Sequence, residues 1–278
     1  SPAPGDWGGV VVDAGTALPG AASLRLLYGT REQAGEAAAS TTWEAENLHR
    51  VRDDVTVSAG KSLTIAAGAM VRFDRTRAIV VSGTLQAAGA VGAPILMTSL
   101  YDADSDAPGV LGGPYAGHVP AVGDWLGVYV EAGGSGVFDR VHLRYGGGRQ
   151  TGYDRTAMLR SRRAAVTVRN CRIEDAQYDG VTADGPDASS RFEMANCIVS
   201  GCDVGFYGGD NSYGVCQVLG TTFYGNRLGV RLDWGAGTPR IIRNSIIAQS
   251  TEIGISVSGG MNVFEWNNVW GSGTTDYS

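Results

Sequence analysis

The most constraining feature of this sequence is a repeat that runs from Val166 to Trp270. Its first landmark is a bend residue before a short apolar run, at Asn170, Asn196, Gly220, Asn244 and Asn267, with spacings of 26, 24, 24 and 23 residues. A glycine before an apolar residue keeps the same period, at Gly180, Gly205, Gly229 and Gly254. Two landmarks in phase indicate a solenoid with one turn per repeat. A β-sandwich, the alternative, has no reason to keep this phase.

Stacked turns lie about 4.8 Å apart, so each side chain must be compatible with its own copy above and below. We therefore expect Asn170, Asn196 and Asn244 to form a buried ladder of amide hydrogen bonds. We expect the repeated glycines to occupy bends that need a positive φ. Strand alternation predicts an inward set and an outward set. The inward set is Val181, Phe206, Val230 and Ile255, and the outward set is Thr182, Tyr207, Arg231 and Ser256.

Composition narrows the class of partner. The 278-residue chain contains 42 glycines and only 18% charged residues, which fits many tight bends. Its net charge of −6 and the absence of a basic cluster argue against nucleic acid binding. The apolar runs are too short to span a membrane. Four cysteines are too few for a disulfide framework. Cys171 and Cys197 should stack, either as a strained bridge or as buried thiols.

Earlier parts of the chain extend the same pattern. Residues 2–15 return as residues 120–133 with ten of fourteen positions identical. Three short apolar runs within 55–73 are repeated within 79–97, which predicts three strands per turn and hence a three-faced parallel β-helix. We expect one domain over 1–278, with an N-terminal turn or interaction segment at 1–30 and a connecting segment at 31–54. The main coil should span 55–270 and a tail 271–278. A short helix or a loop is expected near 31–40.

Several segments resemble bacterial extracellular modules of the right-handed β-helix kind, within the pectate-lyase-like superfamily. The resemblance is carried by Trp43 to Gly68, Gly83-Thr84-Leu85, Gly123-Asp124-Trp125, Arg144 to Gly147 and Asn267 to Gly271. It implies an all-β, right-handed, single-stranded parallel β-helix in a secreted or cell-surface protein. It leaves function open, because the superfamily includes lyases, hydrolases, epimerases, adhesins and non-catalytic surface proteins. In such modules the Gly-Asp-Trp turn follows the opening segment, whereas here one copy also precedes it.

The catalytic motifs of that superfamily are not found. The sequence contains neither the Asn-x-Asp, Asp-Asp, Gly-His-Gly and Arg-x-Lys set of polygalacturonases nor the Asp-Pro-His-Asp of alginate epimerases. His49, His118 and His142 are scattered, and Lys61, the only lysine, lies in the segment that resembles the start of a module. The best enzyme candidate follows the glycine landmark, where Asp184, Tyr207, Arg231 and Asp233 should fall on three successive turns, with Trp234 at the edge. Such a face can hold a sugar chain, or it can be an ordinary solvated surface.

One loop has the spacing of a metal site. Asp102, Asp104 and Asp106 alternate and are followed by Gly109. Alternating carboxylates can converge on Ca²⁺, which prefers six to eight oxygen ligands. The loop lacks the glycine and the distant glutamate of an EF-hand, so a solvated acidic loop is the alternative. Calcium is the only cofactor that the sequence suggests.

These observations favour a non-catalytic extracellular scaffold that is adhesive or assembles into filaments. Neither end of the coil shows a capping helix, so we expect head-to-tail contacts between copies, with residues 1–30 completing the coil of a neighbour. The alternative explanation is that the ends are covered by sequence of a longer protein. The alternative functions are a lyase or hydrolase acting on an acidic polysaccharide, and a carbohydrate-binding β-helix.

Overall fold

The computed structural model describes residues 30–37, 40–102, 118–149, 156–184, 187–209, 213–233 and 239–278 as a coil of short strands. The first nine strands are β1 (Thr30–Glu36), β2 (Ser40–Trp43), β3 (Leu48–Val57), β4 (Ser62–Ile65), β5 (Met70–Phe73), β6 (Ala78–Val81), β7 (Thr84–Ala88), β8 (Ile95–Ser99) and β9 (Gly127–Val130). The next nine are β10 (Ser135–Asp139), β11 (Val141–Arg144), β12 (Ala157–Arg162), β13 (Ala165–Arg169), β14 (Arg172–Glu174), β15 (Asp179–Asp184), β16 (Asp187–Ala195), β17 (Ile198–Ser200) and β18 (Val204–Gly208). The last nine are β19 (Tyr213–Leu219), β20 (Thr222–Tyr224), β21 (Leu228–Leu232), β22 (Arg240–Arg243), β23 (Ile246–Ala248), β24 (Ile253–Val257), β25 (Asn262–Glu265), β26 (Asn268–Trp270) and β27 (Thr275–Tyr277).

Parallel pairing of each strand with its counterpart one turn later divides the coil into three faces. Face one consists of β6, β9, β12, β15, β18, β21, β24 and β27. Face two is a nine-stranded sheet of β2, β4, β7, β10, β13, β16, β19, β22 and β25. Face three consists of β5, β8, β11, β14, β17, β20, β23 and β26. The expected three-faced parallel β-helix is confirmed.

Strand alternation fills the interior. Val181, Phe206, Val230 and Ile255 pair in register on face one, and each is at most 1% exposed, as predicted. They join one continuous apolar core with the inward residues of the other two faces. The pairings of β9 with β6 and β12 bridge the long connections before and after β9, so these connections do not shift the phase of the coil.

The predicted asparagine ladder is wrong. Asn170, Asn196 and Asn244 are exposed, and each has a left-handed backbone, with φ of 53°, 54° and 52°. They are used because asparagine tolerates this conformation at the tight bend between face two and face three. A ladder does exist one residue later, where the side chain points inward. Asn267 belongs to this inward position and not to the bend predicted for it, because register places Trp266 at the last bend. There the Thr221 amide donates to Ser245 Oγ at 3.2 Å, and the Ser245 amide donates to the side-chain oxygen of Asn267 at 3.0 Å.

The repeated glycines also serve a purpose other than the predicted one. Gly180, Gly205, Gly229 and Gly254 lie inside strands of face one, and none has a positive φ. A Cβ on Gly229 would lie 2.4 Å from Cγ2 of Ile247, a core residue of face three. At each of these positions a Cβ would lie within 2.7 Å of another atom. Close approach between neighbouring faces and turns therefore requires glycine here.

The short helix or loop expected near 31–40 is wrong as well, because β1 occupies 30–36 and β2 begins at Ser40. Pairing with β3 supplies the backbone hydrogen bonds, and Glu32 forms an ion pair with Arg52 at 2.7 Å. Strands extend beyond the range 55–270, since β1 and β2 precede it, β3 crosses its start and β27 follows it. The copy of the repeated segment at 2–15 lies outside the described residues.

Trp125, of the Gly-Asp-Trp segment, has a structural role. It is fully buried, stacks on Phe73 with ring centroids 4.1 Å apart, and donates from Nε1 to the carbonyl of Arg144 at 2.9 Å.

All four cysteines are free and buried, so the bridge between Cys171 and Cys197 does not form. Within the described ranges, no helix is long and apolar enough to cross a membrane.

Candidate functional site

The outer surface of face one carries the side chains that the sequence grouped. Register places Arg160, Thr182, Tyr207, Arg231 and Ser256 in one line across five successive strands, which we call the polar column. Neighbours in this line are separated by about one strand spacing, 4.8 Å. Thr182 lies on the outer side as expected, but it is only 4% exposed because neighbouring side chains surround it.

Three of the four predicted site residues, Tyr207, Arg231 and Asp233, meet toward the C-terminal end of this column. Arg231 forms a two-pronged ion pair with Asp233, with Nε to Oδ1 at 3.0 Å and Nη2 to Oδ2 at 2.8 Å. The hydroxyl of Tyr207 donates to Oδ2 of Asp233 at 3.0 Å, and Ser258 donates to Oδ1 at 3.3 Å. The Arg231 guanidinium also lies over the Tyr207 ring, with Cζ 5.5 Å from the centroid.

These contacts fix the charge of Asp233. Burial alone would raise the pKa of its carboxyl group, but the hydrogen bonds from Arg231 and Tyr207 outweigh burial and hold the pKa below its usual range. The pKa of Arg231 is raised, first by its hydrogen bonds to Asp233. Asp233 is therefore an ionised anchor for Tyr207 and Arg231, and it is not suited to donate a proton.

Asp184, the fourth predicted residue, has a different partner. Its Oδ2 accepts a hydrogen bond from Nε of Arg160 at 2.9 Å, and Nη2 of Arg160 contacts the same oxygen. Burial raises the pKa of Asp184, and the positive charge of Arg160 opposes this shift only in part. A Cβ on Gly209 would lie 3.1 Å from both Cβ of Asp184 and Cε1 of Tyr207, so the absence of a side chain here lets these two residues pack closely against the backbone. Trp234 lies outside the described residues.

Sequence reasoning missed Asp179, which is the most perturbed carboxyl group of this face. Burial raises its pKa to about 7, even though Thr182 donates a hydrogen bond to its Oδ2 at 2.9 Å. The negative charge of Asp203 raises the pKa further, whereas Arg231 and Arg160 lower it. A carboxyl group with a pKa near neutrality can exchange protons at physiological pH. In the sequence, Asp179 is simply a polar residue before a glycine, because its burial comes from the fold.

A buried arginine from face two supports the site from behind. Arg240 is 3% exposed, and its guanidinium donates to the backbone carbonyl oxygens of Gly208 and Asp233. These carbonyls lie just after the outward residues Tyr207 and Arg231, at the ends of β18 and β21. Arg240 therefore holds the strand ends that position the cluster.

The candidate calcium loop is described only at its first residue. Asp102 is 1% exposed, and its Oδ2 accepts hydrogen bonds from Thr98 Oγ1 and Arg144 Nε, each at 2.6 Å. Its carboxylate thus closes a buried ion pair at the start of the loop. Asp104 and Asp106 lie outside the described residues.

The histidines are structural or paired. His49 is buried and stacks on Trp43, and Nε2 of His142 contacts Oε2 of Glu174 at 2.7 Å. His118 packs against the ring of Tyr101, with centroids 5.0 Å apart. In the part of the chain that the structure describes, no three His, Cys, Asp or Glu side chains come together in a way that could hold a metal ion.

Comparison with known proteins identifies the coil. The family model described as "Right handed beta helix region" matches residues 126–275, which include most of face one and the whole cluster around Asp233. No curated protein matches the sequence significantly.

Among solved structures, the periplasmic alginate epimerase AlgG is similar in fold. A single mutant of AlgG is 14% identical to this chain with a TM-score of 0.33, and the match covers 80% of this chain and 56% of that one. A double mutant is 10% identical with a TM-score of 0.31, covering 83% and 63%. The matches thus span less than two thirds of AlgG. At these values the similarity carries no information about activity.

Proposed function

Because this chain belongs to the right-handed β-helix family, whose fold fixes no single activity, we propose its function from the side chains of face one. We infer that the chain is a non-catalytic scaffold that binds a polysaccharide along the polar column. The proposal includes a secreted or cell-surface location, where such polymers are found.

The observation that carries the proposal is the repetition of hydrogen-bonding groups along the coil axis. Tyr207, Arg231 and Ser256 present a phenol, a guanidinium and a hydroxyl on three successive strands, and the buried Arg160 and Thr182 continue the same line. A polymer of sugars presents hydroxyl groups at a regular repeat, so one chain can contact several turns at once. Tyr207, which is partly exposed, adds an aromatic surface.

Binding is favoured over catalysis by the pairing of the carboxylates. Asp184 and Asp233 each form an ion pair with an arginine, so the negative charge of each carboxylate is already compensated. A glycoside hydrolase requires a carboxyl acid and a second carboxylate free to act on the substrate. Neither Asp184 nor Asp233 is free to act on a substrate in this way.

One observation favours a second candidate, an enzyme acting on an acidic polysaccharide. Asp179, with a pKa of about 7, lies close enough to Arg160 and Arg231 to be influenced by both charges. A group of this pKa can accept a proton from a sugar carbon or donate one to a leaving oxygen, while an arginine neutralises a uronate. Asp179→Asn, which keeps an acceptor for Thr182, removes this chemistry and leaves binding intact.

Affinity electrophoresis through gels that contain neutral, uronate or sulfated polysaccharides tests the binding proposal. Arg231→Ala should migrate faster than wild type in the gel that retards the wild-type protein. Arg243→Ala is the matched control, since Arg243 forms a comparable ion pair with Glu265 at 2.8 Å on face two. Wild-type protein that no polymer retards, or equal retardation of both variants, would refute the proposal. Incubation of wild type and Asp179→Asn with uronate polymers, with and without Ca²⁺, decides the enzymatic alternative.

We also propose that copies associate end to end. In the described residues, β25, β26 and β27 each pair with one strand of the preceding turn, and we propose that their other edge pairs with a second copy. The segment 1–30 of a second copy is the proposed occupant. Light scattering of the whole chain and of a chain lacking 1–30 tests this proposal. Assembly that survives the deletion, or a whole chain that stays monomeric at high concentration, would contradict it.

A further inference from the structure

The outer side of face three differs sharply from face one over its last four strands. The strands β17, β20, β23 and β26 have three residues each, and none of these twelve residues is charged. Their outward side chains include four large apolar residues that are at least 44% exposed, namely Ile198, Tyr224, Ile246 and Trp270. Contiguous exposed apolar surface is uncommon on soluble proteins and marks interaction sites.

Register arranges these residues in two parallel lines. Tyr224, Ala248 and Trp270 form one line, which we call the aromatic strip. The two rings are separated by two strand spacings, roughly 9.6 Å, with the small side chain of Ala248 between them. The second line runs beside it and alternates apolar and polar groups, in the order Ile198, Thr222, Ile246 and Asn268.

A third aromatic residue borders this surface at the tight bend before β26. Trp266 is 77% exposed and has a φ of 54°. Equivalent bends use Asn170, Asn196, Gly220 and Asn244, and also Arg140 with a φ of 51°, so this bend accepts a long side chain. Trp266 therefore adds a third exposed aromatic ring beside the surface without being required by the backbone conformation.

The chemistry of this surface selects an uncharged ligand with apolar faces and polar edges. A charged ligand would lose hydration here without meeting an opposite charge. Tyr and Trp offer flat apolar rings with one polar atom each, and Thr222 and Asn268 offer a hydroxyl and an amide beside them. We propose that the aromatic strip is a second binding site, specific for a neutral polysaccharide whose alternate sugar rings stack on Tyr224 and Trp270.

This site is independent of the polar column, because it lies on a different face and uses neither arginine nor carboxylate. The same scaffold would then hold a neutral polymer on face three and a second polymer on face one. Such an arrangement would cross-link two kinds of polysaccharide through one rigid coil.

Affinity electrophoresis in hydroxyethyl cellulose, a soluble neutral polysaccharide, with polygalacturonate as the acidic comparison, tests the inference. Wild type should be retarded by the neutral polymer. Tyr224→Ala and Trp270→Ala should each weaken binding roughly three- to tenfold, as expected for loss of one aromatic contact. Tyr277→Ala is the matched control, because Tyr277 is an exposed aromatic on the last strand of face one. Both substituted positions are exposed, so unchanged melting curves should confirm folding.

The outcomes separate this inference from the proposed function. Retardation by the neutral polymer that Arg231→Ala retains and Trp270→Ala loses supports the aromatic strip even if face one binds nothing. No retardation of wild type, or equal loss in the Tyr277→Ala control, overturns it. Concentration-dependent dimerisation that Trp270→Ala abolishes, without binding to the polymer, would overturn it too and assign the surface to a second copy of the chain.

Discussion

Replacing Gly229 by alanine tests whether the repeated glycines are there for space or for backbone conformation. A Cβ at this position would lie 2.4 Å from Cγ2 of Ile247, 2.6 Å from the carbonyl oxygen of Gly254 and 3.0 Å from Oγ of Ser250. Carbon atoms in favourable contact lie about 3.5–4.0 Å apart, so the first overlap exceeds 1 Å, on the order of a bond length. Ile247 is fully buried, and the Gly254 carbonyl belongs to the next turn. Neither can move without disturbing the stack.

The expected cost follows from overpacking. Extra methylenes forced into a packed core destabilise by about 1–3 kcal/mol. Because one of the overlapping atoms is backbone of a neighbouring turn, we expect Gly229→Ala to cost about 3 kcal/mol. For a chain of this size each kcal/mol lowers the melting temperature by about 2–4 °C, which gives a decrease of roughly 6–12 °C.

Gly225 is the matched control, four residues earlier in the same turn. Its φ is 62° and a Cβ would meet nothing within 4 Å. Gly225→Ala should therefore lower the free energy of unfolding only by the cost of placing alanine in the left-handed conformation, about 1 kcal/mol. Gly225→Asn should be nearly neutral, because asparagine tolerates this conformation, whereas Gly229→Asn should be at least as destabilising as Gly229→Ala.

Thermal and urea unfolding followed by circular dichroism measure all four variants. The steric explanation is refuted if Gly229→Ala melts within 2 °C of Gly225→Ala, a margin set by about 1 kcal/mol. It is also refuted if asparagine at 229 restores the stability that alanine removes, since that pattern would mean a positive φ.

Other expectations follow from the same structure. The pKa of Asp179 is about 7 in the folded state and lower in the unfolded state. The free energy of unfolding should therefore fall as the pH rises from the unfolded pKa to about 7. Asp179→Asn should flatten this slope, and equal slopes for both proteins would contradict the expectation. Asn196→Ala should lower the melting temperature only slightly, because Asn196 is exposed and contributes a left-handed bend. A decrease in stability as large as that for a buried unpaired polar group would instead support the predicted asparagine ladder. Arg240→Met should destabilise the coil by removing hydrogen bonds to the carbonyls of Gly208 and Asp233, of which the Gly208 carbonyl still accepts from the Asp233 amide; an unchanged urea midpoint would show that the arginine hydrogen bonds add nothing. The calcium site is a hypothesis from the sequence: if Asp104 and Asp106 bind Ca²⁺, the ion should raise the melting temperature relative to EDTA, and an Asp104→Asn, Asp106→Asn double variant should lose the shift; superimposed wild-type curves would reject the site.

The period of the sequence was enough to predict the fold. Stacked turns require equivalent residues at each level, so the in-phase bends and apolar positions predicted the three faces and the inward set of face one. The register of the last turn was off by one residue, since its bend is Trp266 and not Asn267. What the period could not show is why a residue type recurs. Asn196 and Gly229 both mark the repeat, but the first serves a left-handed bend and the second a steric contact with the next turn.

The N-terminal error has a different cause. The composition of 31–39, with glutamates and alanines, fits a helix, but pairing with β3 supplies hydrogen bonds and ion pairs that outweigh this local preference. At the site, alternation located Tyr207, Arg231 and Asp233 on one face. It could not identify Asp179, whose raised pKa comes from burial and from charges on neighbouring turns.

The contrast between the outer faces follows from how a solenoid divides its sequence. Inward positions are restricted by packing, and bend positions by backbone conformation, so only the outward positions are free to vary from turn to turn. In this chain they vary systematically. Face one repeats charged and hydroxyl groups from Arg160 to Ser256, whereas the last four strands of face three carry no charge and expose Tyr224 and Trp270. The ion pairs and hydrogen bonds of face one join neighbouring turns, as between Tyr207 and Asp233, so this pattern has a structural reason as well. The exposed rings of Tyr224 and Trp270 have no such reason in the coil, and ligand contact is the simplest physical explanation for them.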